Sequence, residues 1–204
     1  MAHIKEADFV ASLTDAIQFI STFHPADFVR HLTAAYEAEE SPAARDAIGQ
    51  ILYNSRLAVL GRRPICQDTG VVNVFVDIGT GARLESKSTI QTLVDRAVRA
   101  AYLDEKNPLR ASVVHDPLFR RGNSGDNTPA VVHIDSVEGN AIDVTVAAKG
   151  GGSENKATFK VLEPSENVAD WIVQAVEKMG AGWCPPGVLG IGVGGSAEKA
   201  MLLA

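Results

Sequence analysis

The sequence has no run of apolar residues long enough to cross a bilayer, so it does not predict a membrane-spanning protein. It also lacks a block of basic residues: 25 acidic and 19 basic residues are spread along the chain and give a net charge of −6. Nucleic acid would require a basic surface against its phosphates. The first ten residues carry acids where a secretory or mitochondrial leader would be basic. We therefore expect a cytoplasmic protein that binds neither nucleic acid nor a membrane.

Cysteine is scarce, since Cys66 and Cys184 are the only two in the sequence. A reducing cytoplasm disfavours a structural disulfide between them. A structural zinc site would need further ligands at CxxC or HxxxH spacing, and the five histidines show none of that clustering. The two thiols are therefore expected to be either buried or ligands of another group.

Repeats, linkers and low-complexity segments are also absent, so we expect one domain over residues 1–204. Apolar residues recur at intervals of three and four from Glu6 to Leu60, which predicts a helical layer. Within it Ser41 is placed to cap a helix, Pro42 to open it and Gly61 to close it. Further helices are predicted over residues 89–104, over residues 165–179 and from Ser196 onward.

Three β-branched, alternating stretches are predicted as strands: residues 71–79, 130–137 and 141–150. The short "EGN" between the last two predicts an antiparallel hairpin. The predicted fold class is therefore α+β, a mostly antiparallel sheet packed with helices. Residues 188–195 predict another strand and a glycine turn before the final apolar helix. Because that helix stops without a capping signal, we expect an N-terminal fragment of a longer chain.

Four segments are more polar or glycine-rich than folding requires, and the first is "PICQDTG". Cys66 alone could be an inert buried thiol. Gln67 and Asp68 beside it are costly to bury without partners, and Gly70 allows the backbone to approach a ligand closely. A thiolate ligand next to a substrate-binding amide and an acid or base would account for all of these residues.

The second segment, "HDPLFRRGNSGDNTPA", is unusually polar for a connection between secondary-structure elements. Arg120 and Arg121 could form a solvated turn, and residues 126–129 could form an Asx-type turn that starts a strand. Arg110, just upstream, is a separate candidate because a guanidinium can hold a carboxylate through two parallel hydrogen bonds.

The last two segments are rich in glycine. In "KGGGSENK" three consecutive glycines, Gly150 to Gly152, predict exposed amides that could bind an anion, although the Walker spacing is absent. In "GWCPPGVLGIGVGGS" the two prolines after Cys184 would hold it rigidly, as a ligand should be held. The glycines that follow are only a weak dinucleotide fingerprint.

Taken jointly, "PICQDTG", "GDNTPA", "KGGGSEN" and "GWCPPGVLGIGVGG" resemble the N-terminal part of the class I, iron–sulfur-dependent fumarate hydratases. They are closely similar to the alpha subunit of tartrate dehydratase as well. The resemblance runs from about Ile51 to the end of the chain. It implies a hydro-lyase that interconverts fumarate and malate, and a homodimer in the complete enzyme.

The resemblance also implies a 4Fe–4S cluster held by three cysteines, with one iron open to substrate. Cys66 and Cys184 match two of the ligand positions, and the third ligand would lie beyond this sequence, together with a C-terminal domain. This fragment is then expected to be inactive alone. The resemblance implies further roles for the remaining candidates: acid or base and substrate contact for Asp68, substrate binding for Gln67, Arg110 and Gly151, and orientation of these groups for Asp126, Asn127 and Thr128.

Three alternatives stay open at the level of the sequence. Tartrate could replace fumarate as the small dicarboxylate substrate, because the discriminating contacts could lie outside the sequence. The chain could be a non-catalytic module that binds a carboxylate or a partner domain, although this would leave Cys66, Cys184 and Asp68 without a role. A nucleotide-binding fold would require a parallel sheet and would not use the cysteines.

Overall fold

The computed structural model describes residues 2–184 and 187–204, and the chain forms two compact units, Met1–Lys149 and Gly150–Ala204. The prediction that the chain is one domain stays a prediction. None of the helices within the described ranges combines the length and apolar character needed to span a bilayer. The first unit contains strands β1 (Ala2–Lys5), β2 (Val71–Gly79), β3 (Ala82–Glu85), β4 (Val131–Val137) and β5 (Ile142–Lys149), and helices α1 (Glu6–Thr22), α2 (Ala26–Ala38), α3 (Pro42–Gly61) and α4 (Ile90–Tyr102).

The predicted N-terminal helices α1 to α3 and helix α4 are confirmed. Ser41 caps α3 by accepting a hydrogen bond from the backbone N of Ala44, and Pro42 opens the helix. The helix ends at Gly61, but the residue in the left-handed conformation is Arg62. Thr89 caps α4 in the same way as Ser41 caps α3.

The core of the first unit lies between the main sheet and helices α1 and α4. Alternate residues of β2 are fully buried because they face these helices, while the residues between them face the other side of the sheet. Helix α4 contributes one continuous apolar face, and α1 contributes a shorter one. The buried core comprises Phe9, Leu13, Ile17, Val72, Val74, Val76, Leu93, Val94, Ala97, Val98, Ala101, Tyr102, Leu109 and Ala130.

The main sheet is mixed and the second is parallel, which fits the predicted α+β class but not a mostly antiparallel arrangement. The main sheet has the order β4-β2-β5, with β2 parallel to β4 and antiparallel to β5, and β1 pairs in parallel with β3 in a second sheet. The predicted β4–β5 hairpin is wrong because β2 lies between the two strands. Their connection instead crosses the end of β2, where the backbone N of Gly79 donates to Ala141 O and that of Thr80 donates to Val137 O.

The second unit is mainly helical over its described residues. It contains α5 (Gly151–Glu154), α6 (Val168–Met179), a 3₁₀ helix (Gly180–Trp183) and α7 (Ala197–Leu203). The strand predicted over residues 188–193 does not form. A side chain at Gly190 or Gly192 would collide with the backbone of Ala204 or Ala200, so this segment packs against α7 instead of a sheet.

Candidate active site

Cys66 lies in the bend between α3 and β2, and the helical layer fixes the residue before it. The backbone N of Ile65 donates to Ser21 O at 2.8 Å, and Asn54 Nδ2 donates to Ile65 O at 2.8 Å. Helices α1 and α3 therefore set the position of the bend. The Cys66 side chain is exposed, so the interpretation as an inert buried thiol is wrong.

The three polar residues of the bend are linked to one another by hydrogen bonds. The thiol of Cys66 donates to Gln67 Oε1 at 3.3 Å, and the backbone N of Asp68 donates to Cys66 Sγ at 3.4 Å. One carboxylate oxygen of Asp68 accepts from the backbone N of Gly70 at 3.1 Å. The structure thus presents a thiol, an amide and a carboxylate within one turn at the start of the central strand.

Gly70 anchors this turn to the core. Its carbonyl accepts hydrogen bonds from the Tyr102 hydroxyl at 3.1 Å and from Asn127 Nδ2 at 3.0 Å. The same hydroxyl donates to Thr69 O at 2.9 Å. Burial raises the pKa of Tyr102, the hydrogen bond to Thr69 opposes this, and the charge of Asp68 adds to the rise. Tyr102 therefore remains a protonated donor at neutral pH.

The backbone of Arg110 lies against the turn that contains Asp68 and Thr69. The Thr69 hydroxyl donates to Arg110 O at 2.8 Å, and Asn127 Oδ1 accepts from the backbone N of Ser112 at 2.8 Å. The Arg110 side chain is exposed and makes no hydrogen bond to the rest of the described chain. An exposed guanidinium on a residue whose backbone contacts Thr69 can bind a carboxylate group.

Asp126 forms the predicted Asx-type turn. Its Oδ1 accepts from the backbone N of Thr128 at 3.0 Å and from the Thr128 hydroxyl at 2.6 Å, and its Oδ2 pairs with Arg99 Nε at 2.7 Å. Burial opposes the charged form, but these hydrogen bonds and the charge of Arg99 outweigh it and lower the pKa of Asp126 to about 2. Asp126 therefore stays ionised at neutral pH, and its contacts are with the turn and helix α4.

Replacing Asp126 by Asn keeps the acceptor for Thr128 and removes the charge. Because the folded pKa lies below the ordinary value of 3.8, the charge stabilises the fold above pH 3.8 and this contribution is lost as the pH falls towards 2. Allowing for the exposed Arg99, we expect the variant to lose about 1–2 kcal/mol of unfolding free energy at pH 7. Urea denaturation at several pH values checks this. A deficit that stays constant from pH 7 to pH 3 would contradict it.

Helix α4 holds the segment before β4 through residues that the sequence analysis did not single out. Gln91 Nε2 donates to Ala130 O at 3.1 Å, and Asp95 Oδ1 accepts from the backbone N of Ala130 at 2.9 Å. Together with Arg99 these residues recur every four positions along one side of the helix. Their spacing in the sequence could have indicated a polar contact surface on α4. Tyr102 was a second signal, because a tyrosine hydroxyl needs a hydrogen-bond partner when its ring is buried.

Arg120 and Arg121 belong to an exposed turn, as the first interpretation of the sequence had it. The carboxylate of Asp116 accepts hydrogen bonds from the backbone N of Leu118 and of Phe119, both at 3.1 Å. Arg121 Nε donates to the backbone O of Pro117 at 3.1 Å. These contacts organise the turn locally.

In the second unit, the glycine run lies beside Cys184. Gly151 and Gly152 begin the short helix α5, and a side-chain carbon added at Gly152 would lie 3.4 Å from Cys184 Sγ and 3.3 Å from Gly182 O. The small residue therefore leaves room around the thiol. Cys184 is exposed, and the prolines predicted to hold it rigid, Pro185 and Pro186, lie outside the described residues.

The candidate residues are thus divided between two sets. The first unit holds Cys66, Gln67, Asp68, Arg110, Asp126, Asn127 and Thr128, and the second holds Gly151 and Cys184. Within residues 2–184 and 187–204, no three histidine, cysteine or acidic side chains converge as a metal site. The roles assigned to these residues stay predictions.

Comparison with known proteins identifies the family. A family model described as Fumarate hydratase (Fumerase) matches residues 10–204, which is nearly the whole chain. The chain belongs to the fumarate hydratase (Fumerase) family. The resemblance expected from the four sequence segments is therefore confirmed.

Curated relatives of this fumarate hydratase family member are alpha subunits of tartrate dehydratase. A Methanocaldococcus jannaschii protein assigned as L(+)-tartrate dehydratase subunit alpha is 35% identical over 208 residues, which cover 98% of this chain and 71% of the relative. The L(+)-tartrate dehydratase subunits alpha of Escherichia coli O157:H7 and of Shigella sonnei are 32% and 31% identical. The chain spans 65% of the length of each of these two subunits.

Proposed function

We propose that the chain is the cluster-binding part of a cytoplasmic hydro-lyase that interconverts fumarate and malate. The observation that carries this proposal is the turn of Cys66, Gln67 and Asp68, held at the start of β2 and linked through Thr69 to the Arg110 loop. Membership of the fumarate hydratase family supports the reaction class. A carboxylate can move a proton, an amide and a guanidinium can bind a dicarboxylate, and a thiol can hold a metal cluster.

The two thiols fit the role of ligands to a 4Fe–4S cluster. Both are exposed, Cys66 Sγ already accepts a backbone N–H at 3.4 Å, and Gly152 leaves space at Cys184. Hydrogen bonds to sulfur are a usual feature of such sites. With only two cysteines in the sequence, the third thiolate would come from outside it. When bound, an iron without a protein ligand supplies Lewis-acid chemistry towards the hydroxyl and carboxylate of the substrate.

The other candidate residues would transfer the proton and bind the substrate. Asp68, held by its hydrogen bond from Gly70, would move a proton between the substrate and solvent. Loss of the Cys66 proton on metal binding would remove the donor that now engages Gln67 Oε1, and the Gln67 amide could then bind substrate. Arg110 and the backbone at Gly151 would bind the carboxylates, and Asn127 and Thr128 would orient these groups.

The second candidate function is the dehydration of tartrate. It is favoured by the curated relatives, which are alpha subunits of L(+)-tartrate dehydratase. As an alpha subunit the chain would work with a separate partner subunit, and as a fumarate hydratase with a C-terminal domain in a homodimer. In either case the partner would complete the active site.

An anaerobic assay of the complete protein with fumarate, L-malate and L(+)-tartrate as parallel substrates tests the proposal. We expect turnover of fumarate and malate, and loss of that turnover in the Cys66→Ser variant. Turnover of tartrate alone would favour the second candidate. If a protein with a reconstituted cluster turned over none of the three, the chain would be a non-catalytic carboxylate-binding module.

Activity is expected to fall in air, because an iron without a protein ligand is accessible to oxygen. Incubation with ferrous iron and a reductant should restore most of it. The measurement is the rate of fumarate hydration before aeration, after aeration and after reconstitution, with visible absorbance recorded in parallel. Full activity after prolonged aeration would contradict a role for the cluster.

A further inference from the structure

Two buried side chains, Tyr102 and Asn127, connect the turn bearing Asp68 to the rest of the first unit. Tyr102 is 1% exposed and Asn127 is 0% exposed, and both donate to the carbonyl of Gly70. Because each comes from a different segment, the Gly70 carbonyl is held from helix α4 and from the segment before β4 at once.

Asn127 extends this connection to the Arg110 loop. While its Nδ2 donates to Gly70 O, its Oδ1 accepts from the backbone N of Ser112 at 2.8 Å and of Val113 at 3.3 Å. The side-chain amide therefore links the two segments directly. Its backbone is in the left-handed conformation, with φ of 63°, which asparagine tolerates better than most residues.

The Thr69 hydroxyl adds a third link by donating to Arg110 O at 2.8 Å. All the links meet at residues 69 and 70, immediately after Asp68 and three and four positions after Cys66. A shift of this point would change where the Asp68 carboxylate lies relative to the Arg110 guanidinium. The distance between a proton-transfer group and a carboxylate-binding group strongly affects the rate of a positioned reaction.

We propose that Tyr102, Asn127 and Thr69 form a clamp that sets the position of Asp68 relative to Arg110, with Tyr102 as a positioning residue for the reaction. The inference rests on the proposed function for its catalytic part, and on the contacts alone for the clamp. Tyr102 does not touch the substrate in this proposal. It acts through the backbone of Thr69 and Gly70.

The test compares Tyr102→Phe with Tyr53→Phe in the complete, anaerobically isolated protein. The first change removes only the buried hydroxyl and keeps the ring in the core, while Tyr53 is an exposed residue of α3 that serves as the control. Hydrogen exchange of residues 66–71 reports the clamp, and kcat and KM for fumarate report its effect on the reaction. We expect at least threefold faster exchange and at least tenfold lower kcat in Tyr102→Phe, with KM changed less than threefold.

Thr69→Val is the second variant, because it removes the link to Arg110 without disturbing the buried ring. We expect at least a threefold higher KM for fumarate, since the carboxylate-binding side of the site is loosened. This variant decides the proposal if Tyr102→Phe fails to fold. Unchanged exchange of residues 66–71 in Thr69→Val would then overturn the clamp, and unchanged KM and kcat would overturn the positioning role.

The remaining outcomes separate the clamp from the proposed function. Unchanged exchange in Tyr102→Phe would overturn the clamp. Faster exchange with unchanged kcat would show that the hydroxyl is merely structural and would overturn the positioning role. If the wild-type protein turned over none of fumarate, malate and tartrate, the proposed function and the positioning role would fail, while the exchange rates would still decide the clamp.

Discussion

Replacing Asp68 by Asn is expected to lower fumarate turnover by about 10²–10⁴-fold, the usual contribution of a positioned acid or base. The amide retains an oxygen that can accept the Gly70 backbone N–H, which Asp68 now accepts at 3.1 Å, so the turn should keep its conformation. What the variant loses is the ability to take up or release a proton. The assay is anaerobic steady-state kinetics of the complete protein, with thermal unfolding measured in parallel.

Asp15→Asn is the matched control, because Asp15 is an exposed carboxylate on α1. It should leave both turnover and unfolding temperature unchanged. If Asp68→Asn turned over fumarate at the wild-type rate, Asp68 would have no part in the mechanism. A large loss of unfolding temperature in Asp68→Asn would instead assign its importance to the fold.

The sequence was sufficient where structure depends on neighbouring residues. The spacing of apolar residues predicted α1 to α4, and Ser41 and Pro42 marked the start of α3 because capping is decided within one helical turn. The alternation of valines in β2 likewise predicted a strand with one buried face. In these elements the local preferences and the tertiary structure agree.

The prediction of strand pairing failed because the pairing depends on segments that are distant in the chain. The "EGN" that follows β4 is typical of a hairpin, but β2 is the central strand and pairs with β4 on one edge and with β5 on the other. The same limit applies to the site. "PICQDTG" indicated which residues matter, whereas the contacts from Tyr102 and Asn127 join positions 32 and 57 residues apart in the chain.

Gly70→Ala is expected to have the largest effect on stability, a loss of about 2–5 kcal/mol of unfolding free energy. Gly70 has φ of 79°, where a side-chain carbon costs about 1–2 kcal/mol. The added carbon would also lie 2.8 Å from the backbone N and C of Lys149 and 2.9 Å from the backbone C of Ala148. Both belong to β5, paired with β2, so the clash adds roughly 1–3 kcal/mol.

Gly125→Ala separates the two contributions, because Gly125 has φ of 80° and no atom within 4 Å of the added carbon. It should lose only the conformational part, about 1–2 kcal/mol. Urea denaturation of both variants measures the difference, and equal losses would show that β5 moves aside without cost.

Because the Gly70 carbonyl is the point held by Tyr102 and Asn127, Gly70→Ala should also displace the Asp68 turn. Turnover is then expected to fall at temperatures where Gly70→Ala is still folded, and to fall much less in Gly125→Ala.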